Sequence, residues 1–432
     1  MPDFRLMAVA GSPILHSKSP FLFNPSLLNS NSGYYTRVAA DSAAEAIDLL
    51  RQLGLSGMNV TSPFKEEIMP FLDEVDAFAQ KIGCVNCIVS KASKLFGYNT
   101  DAMGVLDSFI KNGISLKDKK AIVLGAGGAA RAAVCALIEG GALVYIVNRT
   151  KSKADLLAKE FSCTSYDVRE LPILLKEASI VVSSLASEHN LLQQEWLHPD
   201  LVLLDADYKT KKALGLALKQ GAFGIPGEEW LINQAIHAYK HFHGQEPDEN
   251  LMRRALYSGF SLKKDQIALV GFMGSGKSTI GKTLAEKLGW DFLDTDCLIE
   301  QKSGKRIPEI FRESGEEGFR KWETEILQEI KSNKKVVLAT GGGVVLKEEN
   351  RQILKQHFLP ILLFVNADEA MKRIANSDRP LLNCGDILGK IQDLQTKRKD
   401  CYISASQLIV NTVHKSPESI LEKIYDEVSR IF

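Results

Sequence analysis

No stretch of this sequence approaches the roughly 20 consecutive apolar residues that a membrane-spanning helix needs. The opening Met1-Pro-Asp-Phe-Arg5 carries no secretory-signal pattern. Neither sign of charge is in excess: Lys+Arg and Asp+Glu both total 53. There is accordingly no overall field to draw in nucleic acid or an anionic membrane, and no basic helix-turn-helix stretch is visible. Cysteine is sparse, seven scattered residues, an odd set that argues for a reducing compartment over a disulfide framework. The lone C-x-x-C, Cys84-Val-Asn-Cys87, has no second pair, and no H-E-x-x-H surrounds His237 and His241. The first is read as structural and the second as a solvated helix face, because a zinc site needs a fuller ligand set. These absences are those expected of a soluble, cytoplasmic protein, with 432 residues, enough for two or three domains.

What is present centres on Gly271-Phe-Met-Gly-Ser-Gly-Lys-Ser-Thr279, which reads G-x-x-x-x-G-K-[ST]. It follows an apolar run (Ile267 to Val270) and precedes a helical pattern (Thr279 to Leu288), the strand–loop–helix setting of a phosphate cradle. Gly274, Ser275, Gly276 and Thr279 belong to that cradle. Lys277 is placed to reach β- and γ-phosphates, and the Ser278 hydroxyl to hold Mg²⁺.

A second glycine-rich turn lies earlier. Lys119 to Leu124 reads as a strand and runs into Gly125-Ala-Gly-Gly-Ala-Ala130, an alanine-rich helix and a further strand, Leu143 to Val147. This is a β-α-β dinucleotide unit with Gly125, Gly127, Gly128 and Ala129 in its turn. The second strand ends not in the acid expected for a ribose 2′-hydroxyl but in Asn148-Arg149-Thr150, with Lys153 nearby. Cationic groups suit a 2′-phosphate, so NADP is favoured over NAD.

Four polar clusters stand in the first hundred residues: His16-Ser-Lys-Ser-Pro20, Asn59-Val-Thr-Ser-Pro-Phe-Lys65, Gly83-Cys-Val-Asn-Cys87 and Gly97-Tyr-Asn-Thr-Asp101 followed by Gly104. Singly, serines beside prolines usually make turns, and a lone lysine is usually a solvated one. In this order the four clusters resemble the motifs of the shikimate dehydrogenase family. The resemblance implies that Ser17 and Ser19 bind a substrate carboxylate, that Thr61, Asn86 and Asp101 hold ring hydroxyls, and that Lys65 and Asp101 are the catalytic pair. A lysine ammonium held by a carboxylate suits ketone reduction, because the alkoxide left by hydride transfer needs a proton. Further on the resemblance retains Tyr208, Gly227 and Gln234. Ser183-Ser-Leu185, Ala213 and Glu229-Trp230 depart from it, around what in that family is the nicotinamide.

After the phosphate loop come Asp294-Thr-Asp296, read as the end of a strand, then Arg320, Gly341-Gly-Gly343, Asp378-Arg-Pro380 and Lys397-Arg398. Three glycines at a sheet edge point to close approach of a ligand to the backbone. The whole segment resembles shikimate kinase. That resemblance implies that Asp294 joins Ser278 at Mg²⁺, that Asp296 orients and deprotonates the acceptor hydroxyl, and that Arg320 and Arg398 clamp its carboxylate. It further implies that Gly342 and Gly343 line the pocket and that Arg379 rides on a lid over ATP.

The expected fold is α/β: a two-lobed dehydrogenase-like unit followed by a P-loop domain with a parallel sheet. The substrate lobe is expected over 1–101, a Rossmann lobe over 102–235, helices returning to the first lobe over 236–260, and the kinase over 265–432. The function this implies is NADPH-dependent reduction of 3-dehydroshikimate followed by ATP-dependent phosphorylation of shikimate. Two alternatives stay open: an active kinase joined to a slow or quinate-tolerant dehydrogenase, and a non-catalytic shikimate sensor.

Overall fold

Apolar runs without alternation, such as Ile267 to Val270 and Ala121 to Leu124, become strands buried on both faces, as parallel strands covered by helices must be. The computed structural model describes residues 4–185, 187–258, 262–374 and 386–431; Arg379 lies outside them. The chain separates into two units. One comprises Met1–Pro20, Leu27–Met58 and Gly259–Phe432, the other Phe21–Ser26 and Asn59–Ser258. No helix among the described residues is long and apolar enough to cross a membrane.

In the first unit the strands run in the order Asp291–Asp294, Val336–Ala339, Gln266–Val270, Leu359–Phe364, Leu408–Asn411, Gly33–Ala39, Arg5–Gly11, all parallel. The sheet therefore passes from the end of the sequence directly to its beginning, through Ile409↔Val38 and Val410↔Ala39. Polar side chains reinforce this short register. Tyr34 Oη and Thr36 Oγ1 donate to the Ser406 carbonyl at 3.3 and 3.1 Å. Lys415 Nζ meets Asp41 and Glu45 at 2.6 and 2.5 Å. The last helix, Pro417–Ser429, is capped by Ser416 and lies against the helix Lys277–Leu288.

In the second unit six parallel strands follow the order Phe223–Pro226, Val202–Asp205, Ile180–Ser183, Lys120–Leu124, Leu143–Val147, Thr164–Tyr166. The order reverses on either side of Lys120–Leu124, and the crevice at such a switch point is where open α/β sheets take ligands. The alanine-rich helix Gly128–Glu139 is buried along most of its length. The strands Cys87–Lys91 and Lys94–Tyr98 form an antiparallel ribbon.

Helix Asp101–Ile110 packs on helix Gly227–His243, which stops at left-handed Gly244; a separate helix, Glu249–Tyr257, follows. His237 is not simply solvated, because this packing brings its Nε2 to Asp107 Oδ2 at 2.8 Å. His241 is exposed and stacks on Tyr98, ring centroids 4.0 Å apart. Cys84 and Cys87 are both buried and free.

Where the sheet joins Gly33 to Arg5, a Cβ at position 33 would lie 2.2 Å from the Arg5 carbonyl oxygen. Backbone cannot yield as a flexible side chain can, so Gly33→Ala should cost about 1–3 kcal/mol. Calorimetry of the full chain should show the transition of the first unit moving down by several degrees. An unmoved transition would mean that the strands part there without cost.

Candidate active sites

The phosphate loop leaves the carboxyl edge of the first unit's sheet, and helix Lys277–Leu288 starts from left-handed Gly276. Its N-terminal N–H groups and dipole face the loop. Ser275 is buried beneath the loop; Gly274, Gly276, Lys277, Ser278 and Thr279 line a cavity of about 580 Å³. Lys277 Nζ is held over the loop by the carbonyls of Gly271 and Phe272 at 2.9 and 3.0 Å. Ser278 Oγ donates to Asp294 Oδ2 at 2.8 Å. A hydroxyl and a carboxylate side by side are hard oxygen donors, few in number, and fit a Mg²⁺ that keeps most of its water.

Asp294 is the N-cap of helix Thr295–Ser303, accepting from the Asp296 N–H at 3.0 Å. The D-x-D is thus a strand end and a first helical turn, not two strand positions, and the cap is what aims Asp296 into the same cavity. Opposite it, Gly341 N donates to the buried Thr295 Oγ1 at 2.7 Å. A Cβ on Gly341 would lie 2.7 Å from Asp296 Oδ1, and one on Gly343 would strike the Arg320 guanidinium at 2.1 Å. The glycine run therefore exists to let charged groups approach the backbone.

Arg320 is supplied by the kinked helix Ile307–Ile330, with Nη1 on Glu323 Oε2 at 2.7 Å and Nη2 on Glu316 Oε1 at 2.8 Å. Burial pushes the Glu323 carboxyl up to about 7, against the opposing pull of Arg320. Arg398 Nη1 and the Tyr402 hydroxyl both donate to the Gly342 carbonyl. The cavity thus brings together Lys277, Ser278, Asp294, Asp296, Arg320, Gly342, Gly343 and Arg398.

In the second unit Lys65 Nζ meets Asp101 Oδ2 at 2.5 Å, their side chains 17% and 10% exposed. Burial alone would favour a neutral amine. The Asp101 carboxylate outweighs it and holds Lys65 above the ordinary lysine value. Asp101 opens helix Asp101–Ile110, and the Asn99 side chain caps that turn by accepting from Asp101 N and Ala102 N at 3.0 and 3.3 Å. Trp230 Nε1 donates to the Asp101 carbonyl at 3.0 Å. Thr100 N donates to Asn86 Oδ1 at 2.7 Å, and Thr100 Oγ1 donates to Gln234 Oε1 at 3.3 Å. Thr61 lies half-buried just after the strand that precedes Lys65, and Tyr208 half-buried in the turn after Val202–Asp205. Gly227 is the first residue of its helix. In the first unit, Ser17 Oγ donates to Ser19 Oγ at 3.2 Å, both residues buried.

The glycine-rich turn of the second unit opens on a cavity of about 250 Å³ lined by Gly125, Gly127, Ala129, Asn148, Arg149, Thr150 and Lys153. Gly128 begins the helix behind it, and a Cβ there would come within 3.3 Å of Lys65 Cδ. The dinucleotide turn and the Lys65–Asp101 pair are thus adjacent. Arg149 and Lys153 are exposed and carry no ion pair among the described residues, as cations awaiting an anion would be.

Four residues that motif reading overlooks belong to these sites. Asn99 and Trp230 aim Asp101, Glu323 orients Arg320, and Arg373 lines the phosphate-loop cavity while donating to the carbonyls of Gly274 and Thr412 at 3.2 and 2.6 Å. Asn99 sits inside a quoted motif and its turn chemistry was available. Trp230 is one of the positions where the sequence departs from the resemblance, and Glu323 and Arg373 have no local pattern to betray them.

Comparison with known proteins finds three family matches along the chain. The shikimate dehydrogenase substrate binding domain matches residues 9–88, the shikimate / quinate 5-dehydrogenase family residues 108–203, and the shikimate kinase family residues 273–429. The shikimate dehydrogenase (NADP(+)) of Carboxydothermus hydrogenoformans is 35% identical over 274 residues, 59% of this chain and 97% of its own length. The shikimate kinase of Synechococcus elongatus is 43% identical over 164 residues, 38% of this chain and 86% of its own. The crystal structure of Thermus thermophilus shikimate 5-dehydrogenase in complex with NADP(H) and shikimate superposes with a TM-score of 0.55 at 31% identity, covering 60% of this chain and all of that one. The chain therefore belongs to the shikimate dehydrogenase family in the part before the phosphate loop and to the shikimate kinase family from that loop onward.

Proposed function

We propose that this bifunctional shikimate-pathway enzyme reduces 3-dehydroshikimate to shikimate with NADPH and then phosphorylates the shikimate 3-hydroxyl from ATP. The observation that carries the reading is that one chain holds the reactive side chains of both chemistries. Lys65 lies on Asp101 for one, and Asp296, Arg320 and Arg398 share one cavity with the phosphate loop for the other. The product of the first reaction is the substrate of the second. A sensor without turnover would not need Lys65, Asp101, Lys277 and Asp296 together. In this reading residues 1–101 and 236–260 serve the substrate of the dehydrogenase, 102–235 its NADP, and 265–432 the kinase.

In the dehydrogenase, Ser17 and Ser19 take the substrate carboxylate, while Thr61, Asn86, Tyr208 and Gln234 address its ring. NADPH, when bound by Gly125–Ala129, Arg149, Lys153 and Gly227, supplies the hydride. Lys65, kept as an ammonium by Asp101, gives its proton to the carbonyl oxygen and regains one from water; this kind of help is worth about 10²–10⁴-fold. In the kinase, Arg320 and Arg398 hold the carboxylate against Gly342 and Gly343. Asp296 accepts the proton of the attacking hydroxyl, and Lys277 neutralises charge on the phosphate it faces. ATP supplies the phosphoryl group; Ser278 and Asp294 would hold Mg²⁺, which would neutralise charge on its phosphates. Arg379 is assigned to the lid by its motif alone.

A second reading, a dehydrogenase with relaxed choice between shikimate and quinate, is favoured by one observation. Trp230 stands at a departure from the family pattern and contacts the Asp101 backbone. Turnover of both acids with NADP⁺ and NAD⁺ separates the readings.

Lys65→Met should lower reduction by about 10²–10⁴-fold and leave phosphorylation intact; Asp296→Asn should do the reverse. If either change removed both activities, the assignment of one residue to one reaction would be wrong. Arg149→Ala should raise KM for NADP⁺ about tenfold, the loss of one charge-assisted contact, without altering KM for NAD⁺. Equal effects on the two cofactors would remove Arg149 from the 2′-phosphate.

Glu323 gives a pH dependence. Its folded carboxyl titrates near 7 and an unfolded one near 4.3. Between these values the native state binds the extra proton, so stability falls as pH rises through that window. Glu323→Gln removes the effect, and its stability relative to the parent should improve by about 1–3 kcal/mol from pH 4.5 to 7.5. A pH-independent difference in Tm would show that Arg320 keeps Glu323 ionised throughout.

A further inference from the structure

The turn that carries Ser17 and Ser19 is held by a side chain from the far end of the sequence. Glu427, on the last helix of the kinase part, is 1% exposed. Its carboxylate accepts from Ile14 N at 2.9–3.0 Å and from Leu15 N at 2.7 Å. The Ile14 carbonyl in turn accepts from Ser17 N at 2.9 Å. The Ser17 carbonyl accepts from Arg37 Nε and Nη2 at 2.9 and 2.6 Å, while Arg37 Nη1 reaches the Gln407 carbonyl at 3.3 Å. One helical turn before Glu427, Lys423 donates to Ser12 Oγ at 3.1 Å and pairs with Asp41 at 2.5 Å. Ile14 and Leu15 are wholly buried, so their N–H groups must find a protein acceptor. A carboxylate meeting two N–H donors is among the stronger acceptors available.

We propose that Glu427 is a positioning residue for the dehydrogenase. From within the kinase part it fixes the Ile14–Ser17 turn, so that Ser17 and Ser19 present their hydroxyls to the substrate carboxylate. The proposal rests on the reading of those serines given above. It makes the kinase part a structural component of the first enzyme as well as the second enzyme.

The test uses full-length Glu427→Ala, Glu427→Gln and Ser17→Ala, assayed for shikimate oxidation by NADP⁺ and, separately, for shikimate-dependent ADP release. Glu427→Ala should raise the dehydrogenase KM for shikimate about tenfold or more, the loss of charge-assisted bonds to two buried donors. KM for NADP⁺ and both kinase constants should stay as they are. Glu427→Gln keeps the shape and one good acceptor oxygen, so its shikimate KM should fall between parent and Ala; it also serves if the Ala chain does not fold. An unchanged shikimate KM in both Glu427 variants, with Ser17→Ala raised, overturns the inference and leaves the serine reading standing. An unchanged KM in Ser17→Ala overturns the serine reading itself. A parallel fall of kcat in both reactions with KM unmoved also overturns the inference, because it reports general loosening.

Discussion

The structure depends on one backbone pairing, between the last strand of the sequence, Leu408–Asn411, and the second, Gly33–Ala39. Each would otherwise end a parallel sheet with a row of unpaired N–H and C=O groups, the usual template for unwanted association. Joined, each covers the other. The register spans only two residue pairs, too few to hold alone. What secures it are buried side-chain-to-carbonyl bonds, from Tyr34 and Thr36 to Ser406 and from Arg37 to Gln407. The Asp41, Glu45, Lys415 and Lys423 cluster at the sheet's end adds less, since its members are partly exposed and such pairs contribute about 0–1 kcal/mol each.

Both sites keep a charged group poised by a buried partner of opposite sign, and the balance of burial against attraction differs between them. At Lys65 the carboxylate of Asp101 wins, and the amine stays charged more firmly than a solvated lysine. At Glu323 burial wins over Arg320, and the carboxyl is pushed toward neutrality. The difference lies in the neighbours: the like charge of Asp296 adds to burial at Glu323, whereas the groups around Lys65, Asp101 foremost, oppose it. The proposed role of Lys65 as proton donor needs the first outcome, an amine kept charged until it gives its proton. A clamp that must only hold Arg320 in place tolerates the second. Positioning of this kind, set before the substrate arrives, is where much of the catalytic advantage of such sites resides.

Legibility from sequence tracks the distance between partners along the chain. The phosphate loop, the dinucleotide turn and the polar clusters are local patterns, and the cavities gather their residues where those patterns point. Asp294 and Asp296 were legible as acids at a sheet edge but not as a helix cap and its first turn, because strand and helix start meet within two residues there. Trp230 reaches Asp101 across 129 residues and Glu427 reaches Leu15 across 412. No window or motif spans such separations; only the packing of helix on helix and the closure of the sheet bring them together. Glu323 is intermediate, one helical turn from Arg320, yet a helix that carries several acids gives no sign of which one turns inward.

The stand-alone relatives sharpen the meaning of the shared sheet. The Carboxydothermus dehydrogenase aligns over 97% of its length with the first part of this chain and the Synechococcus kinase over 86% of its length with the second, so each fold is complete in a protein that lacks the other. The bonds from Glu427 to Ile14 and Leu15, and from Arg37 to Gln407, are therefore additions belonging to neither fold. They satisfy buried donors that a separate dehydrogenase must satisfy by other means. Once those donors rely on Glu427, cutting the chain before the kinase would leave two buried N–H groups and a strand edge without partners, each unsatisfied buried donor costing about 1–3 kcal/mol. Covalent joining has in this way become structural interdependence: residues 1–20 and 27–58 complete their packing with the kinase part, while Ser17 and Ser19 are the serines proposed for the dehydrogenase.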